Sequence, residues 1–225
     1  MVVAALVGAA AVVVIWRSHR AEDPAPSAGG TATASASASG PGAAAVLGCS
    51  GGADPAAAVQ TAMTSPATPE GAAEAAAAVV RFTQSKEFGG AGAPAVIAKI
   101  ADSSGAGQLV ALQQGQAQYL NRMTVSAAHT GHGAFSVNPE PVSPTITVVA
   151  PVEWSTGSTQ HLDWSFVDVR LLRDANRWTV ISAQSTTTTP QGLESLRGAD
   201  ARQAGLEKFS GALAALGFRR YSGDC

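Results

Sequence analysis

The amino-acid sequence predicts an α+β domain: helices come first, an antiparallel meander of strands follows, and a further helix lies after the sheet. Three observations predict this. Apolar residues recur at helical spacing between about residues 68 and 123, the period falls to two between about residues 124 and 184, and helical spacing returns from about residue 191. At 225 residues, with 46% hydrophobic and 13% charged content, the chain has room for one sizeable domain plus accessories.

Val2 to Trp16 is an unbroken apolar run of fifteen residues, spanning ~23 Å as a helix against a hydrocarbon core of ~30 Å. Residues 1–20 are read as a transmembrane or signal-anchor segment; the competing signal peptide lacks a basic region and a clear cleavage site. Arg17 and Arg20, after the run, favour a cytoplasmic side for the chain beyond them, whereas the next stretch has an exported character. All twenty-two residues from Pro24 to Ala45 are Pro, Ala, Ser, Gly or Thr. Such a stretch has nothing large to bury, so residues 21–48 are expected to form a flexible tether with a reach of ~26 Å.

Cys49 and Cys225 are the only cysteines, and they bracket the expected domain, residues 49–225. A disulfide between them would close one long loop, worth ~5 kcal/mol in the chain-entropy model. Free thiols, or a lipidated Cys49, are the competing readings. The disulfide requires an oxidising compartment.

Thr68-Pro69-Glu70 supplies a cap, a proline at the first helical position and an early acidic residue. The helix it opens presents Ala72, Ala75, Val79 and Phe82 on one side and is expected to break at Gly89-Gly90. A second, short helix is read at Ala93–Ala101 with Val96, Ile97 and Ile100. A third runs from Gln108 to Met123, with Leu109, Leu112, Leu120 and Met123 inward and Tyr119 at the edge of that face.

Thr124 to Ser136 reads as a weak strand or strand pair. Thr145 to Trp154 alternates Ile146, Val148, Ala150, Val152 and Trp154 on one face, and Pro151, which has no N–H, suggests an edge or a bulge. His161 to Gln184 reads as a hairpin turning at Asp174–Arg177. With Arg173 opposite Trp178, Leu171 faces Val180 and Val169 faces Ser182, and Val167, Val169, Leu171, Trp178 and Val180 share the core face. The other face carries Asp168, Arg170 and Thr179 near the turn, and Trp164 and Phe166 farther down. After Pro190 a helical extension over 190–218 is expected, broken near Gly198, with Leu206, Phe209, Leu213 and Leu216 as its stripe and Gly217-Phe218 as its cap.

Chemistry is sparse. A net charge of −2 without a Lys/Arg cluster argues against nucleic acid. His129 and His132 have metal-ligand spacing but no neighbouring ligands to complete a site, so neither metal nor cofactor is expected. His161 and Asp163 share a strand face and could form a general-base pair, although a surface polar contact is the plainer reading. No serine lies in a nucleophile elbow, and no glycine loop follows a strand to cradle phosphate. Core packing is the default for Trp154, Trp164 and Trp178.

Helices followed by a meander ending in WSFVDVRLLRDANRWTVISAQ resemble the α+β cone of the nuclear transport factor two and SnoaL-like superfamily, over about residues 68–184. The layout with an anchor and linker is similar to the actinobacterial Mce-associated proteins and to conjugation components related to the inner-membrane scaffold of type IV secretion systems. The C-terminal extension and the two cysteines depart from the minimal cone. The resemblance implies a curved, cone-like sheet and a single-pass, membrane-tethered domain outside the cytoplasm. It implies a non-catalytic assembly part of an envelope transport or conjugation apparatus with protein partners, homo-oligomers among them. The alternative is a small-molecule-binding or weakly catalytic cone pocket lined by Tyr119, Trp164 and Phe166, with His161 or Asp163 pointing inward.

Overall fold

A computed structural model describes residues 45–140, 142–186, 193 and 210–223. Among the described residues five helices precede the sheet: α1 (Pro55–Ala62), α2 (Pro69–Thr83), α3 (Lys86–Gly89), α4 (Ala93–Ile100) and α5 (Ser103–Arg122). Strands β1 (Val125–Ala128), β2 (Ala134–Asn138), β3 (Thr145–Thr156), β4 (Thr159–Asp174) and β5 (Arg177–Ser185) come next, then α6 (Ser210–Ala215) and β6 (Arg219–Arg220). The strands form one open antiparallel sheet in the order β5-β4-β3-β2-β6, with β1 also paired to β3.

Helix α2 starts where its signals lie: the Thr68 hydroxyl accepts from Gly71 N–H and Pro69 takes the first position. Its alanines are buried on nearly every side because the other helices and the sheet enclose it, and Ala72, Ala75, Val79 and Phe82 are all fully buried. The helix ends at Thr83, ahead of the expected break at Gly89-Gly90. Residues 86–89 form a separate turn, which delivers Phe88 edge-on to Phe82 with ring centroids 5.3 Å apart.

The sequence reading missed α1, which Asp54 caps by accepting from Ala56 and Ala57 N–H. Helix α5 begins at Ser103 and not at Gln108, because the Asp102 carboxylate caps Gly105 N–H at 2.6 Å. Gly105 lies so close to β5 that a Cβ there would sit 2.1 Å from the Val180 carbonyl oxygen.

Two apolar clusters divide along the strand alternation. On one face Ile146, Val148, Ala150 and Val152 of β3, Val167, Val169 and Leu171 of β4, and Trp178 and Val180 of β5 pack beneath the helices. On the other, Ala134, Val149, Trp164 and Phe166 are covered by Leu193, Leu213 and Phe218.

The β4–β5 pairing sets Arg173 opposite Trp178 and Leu171 opposite Val180 as expected. A bulge between Arg170 and Leu171 then shifts the register, so Val169 faces Ala183 and not Ser182. Strand β3 is not an edge, and its pairing with β4 runs through Pro151 without a shift. Its other side is shared by β1 and β2, which are separated by a 3₁₀ turn at Thr130–His132. The Pro151 carbonyl accepts from His129 N–H at 2.8 Å, so the proline nitrogen also faces this gap and no ladder bond is forfeited.

At the C-terminus, Gly217 has φ +77°, Phe218 N–H reaches the Leu213 carbonyl and Gly217 N–H that of Ala214. This is a Schellman cap, and Phe218 and Leu213 make its apolar contact. Leu216, predicted in the inward stripe, is exposed; Leu206, Phe209 and Gly198 lie outside the described residues.

The chain beyond α6 returns to the start of the domain. Ser222 N–H bonds to the Val46 carbonyl at 2.9 Å and Gly48 N–H to the Ser222 carbonyl at 3.0 Å, a parallel bridge across residue 47. Val46 is buried, so residues 46–48 pack with the domain. Tyr221, also buried, donates its hydroxyl to the Ala73 carbonyl at 2.8 Å and packs its ring against Phe135, tilted by 40°. Arg81, buried in α2 without a carboxylate partner among the described residues, donates to the carbonyls of Ser50, Gly52 and Ala53, and desolvation lowers its pKa. It thereby orients the loop that holds Cys49, which is disulfide-bonded. Cys225, the other cysteine, lies outside the described residues.

Candidate functional site

The predicted site residues fall in three places, and of them Tyr119 meets only His161 and Asp163. The alternation of β4 puts His161 and Asp163 on the helix-covered face, at the end where the helices stop short of the sheet. Register places Trp154 of β3 opposite His161, and the two rings stack with centroids 4.1 Å apart and planes 14° apart. The Trp154 indole N–H donates to Asp163 Oδ2 at 3.0 Å. Tyr119, near the end of α5, approaches Trp154 at 6.3 Å and 55°. It is 53% exposed. Partial burial, and secondarily the Asp163 carboxylate, raise the Tyr119 phenol above its ordinary pKa. The result is a rim of three rings around one carboxylate.

Trp154, assigned to the core by its alternation with Ile146 to Val152, is the organising residue of this rim. The same parity that buries Val148 and Ala150 leaves Trp154 half-buried, at the margin of the helix-covered core. It also replaces the expected His161–Asp163 pair, because it takes the carboxylate as acceptor and the imidazole as stacking partner.

Trp164 and Phe166 lie on the opposite face, buried under the C-terminal cluster, so they cannot line a pocket with Tyr119. The Trp164 indole N–H is buried without a partner among the described residues. Asp168 and Arg170 lie at the far end of that face. Asp168 accepts from the Thr147 hydroxyl at 2.6 Å, while Arg170 donates to the Ser143 hydroxyl and pairs with Glu140 at 3.3 Å. Arg170 thus ties β4 to the β2–β3 connection, and Asp168 ties β4 to β3.

Of the H-x-x-H residues, which bracket the 3₁₀ turn, His129 shares a hydrogen bond with Glu153 at 3.2 Å, and Gln160 donates to the same carboxylate. Among the described residues no group of three or more His, Cys, Asp or Glu could hold a metal ion. A hollow of about 230 Å³ opens between the start of α2 and the sheet, lined by Thr68, Ala72, Val137, Pro144 and Trp178 among others. It is smaller than the ~300 Å³ at which small-molecule sites ordinarily begin, and none of the predicted site residues lines it. Among the described residues no helix is long and apolar enough to cross a membrane; the anchor expected at residues 1–20 lies outside them.

Fold and site together define an α+β domain with helices on an open antiparallel sheet and an aromatic–carboxylate rim at one end. Compared with known proteins, the chain matches no family model, no curated protein and no solved structure.

Proposed function

We propose that the chain is a membrane-tethered domain held outside the cytoplasm, a non-catalytic interaction part of a cell-envelope transport or conjugation assembly. The observation that carries this reading is the disulfide at Cys49, since such bonds persist in oxidising compartments. It lies directly after a tether of small and polar residues that is preceded by an apolar run. The helix-over-sheet layout is compatible with the cone-like superfamily that the sequence resembles, and Cys225 is the partner this reading gives to Cys49. The rim of Tyr119, Trp154, His161 and Asp163 is the interaction surface in this proposal: its ionisable groups are exposed and engaged with the indole, not held in an enclosed cavity.

The test is a photo-crosslinking amino acid in place of Tyr119, carried by the full chain in native membranes and by a form lacking residues 1–20. Adducts with envelope proteins from the full chain, lost on truncation, are expected. Adducts unchanged by the truncation would refute the tether, and no adducts at all would refute the interaction surface.

A further inference from the structure

The chemistry of the rim identifies what it takes. Trp154 has one ring face covered by His161 and its N–H committed to Asp163, so the open π surface belongs to Tyr119. Asp163 is exposed, and among the described residues it joins no ion pair. Tyr119 and Asp163 flank the same indole, and the carboxylate is near enough to act on the phenol. A π face and an unneutralised carboxylate side by side both favour positive charge, repel anions and give a neutral ligand only half of what the site offers. A guanidinium uses both: its plane stacks on a ring while its N–H groups fork onto a carboxylate, which an ammonium cannot do.

We infer that the rim is a docking site for an arginine side chain presented by a protein partner, with Tyr119 as the stacking surface and Asp163 as the counter-ion. Trp154 is the positioning residue, because its indole N–H aims the carboxylate. This inference rests on reading the rim as the interaction surface and adds the chemistry of the partner.

The experiment monitors the Trp154 indole N–H resonance of the full chain in detergent while N-acetylarginine amide is added, with N-acetylcitrulline amide as the neutral isostere. A saturable shift with arginine only is expected. It should weaken as ionic strength rises to about 0.15 M, weaken roughly tenfold in Asp163→Asn and Tyr119→Ala, and persist in Tyr119→Phe, which keeps the ring. Both altered residues are exposed, so the variants retain the fold. Equal binding of citrulline, or unchanged arginine binding in Asp163→Asn, overturns the inference. If arginine causes no shift while the crosslinker at position 119 still captures a partner, the arginine assignment fails and the interaction surface stands; if both fail, so does the reading beneath it.

Discussion

Tyr221 offers a test of the packing at the closure of the domain. Its hydroxyl is buried against the Ala73 carbonyl in the middle of α2, and burial, aided by Glu74, raises its pKa well above the ordinary value. Tyr221→Phe removes one buried neutral hydrogen bond and keeps the ring on Phe135, so at neutral pH it should cost about 1 kcal/mol. Alkali changes the comparison. The unfolded chain releases the phenol proton near pH 10 while the folded chain retains it, so above that pH the unfolded state binds fewer protons and stability falls as pH rises. The contribution is fully present below about pH 10 and is lost at up to ~1.4 kcal/mol per pH unit above it, or about 1 kcal/mol between pH 10 and 11. Urea unfolding of both proteins by far-UV circular dichroism at about pH 8, 10 and 11 isolates this term, because every other titrating group cancels in the difference. The wild-type advantage should shrink to nothing or reverse by about pH 11. A difference that is constant across that range would show that the hydroxyl is not buried as described.

Three further outcomes are expected from urea midpoints. Ala175, in the β4–β5 turn, holds φ at +45°, a region that costs a side-chain-bearing residue about 1 kcal/mol, so Ala175→Gly should stabilise by roughly that amount; a loss of stability would refute the strain. Gly105→Ala should destabilise by up to about 3 kcal/mol, since the new methyl meets a backbone oxygen that belongs to the sheet. Thr68→Ala should cost about 1 kcal/mol and Thr68→Ser almost nothing, because the cap requires only the hydroxyl.

What the sequence disclosed divides along physical lines. Alternation located both faces of β3 and β4, and the Asp174–Arg177 turn set the register next to it, because these depend on residues a few positions apart. The bulge beyond Arg170 left no local mark, so Val169 was misassigned by one partner. Pro151 was misread because its tolerance depends on a change of strand partner at residues 129–133, more than fifteen positions away. Helix α1 did carry a signal, Asp54-Pro55, but half of its eight residues are alanine and they show little periodicity. At the rim, His161 and Asp163 were legible from strand parity and Tyr119 from helical spacing. Their convergence on Trp154 depends on where the helical layer ends, which spacing along the chain does not encode. Trp164 and Phe166 looked available because the segment that covers them arrives some thirty to fifty residues later in the chain.

The pairing of residues 46–48 with Ser222 has a mechanical consequence. These two short stretches run parallel, so tension that draws residue 45 and residue 223 in opposite directions loads their hydrogen bonds in shear, all at once, instead of peeling them open in turn. A pull across those two ends therefore meets both hydrogen bonds together before it reaches the layers that carry the Trp154 rim.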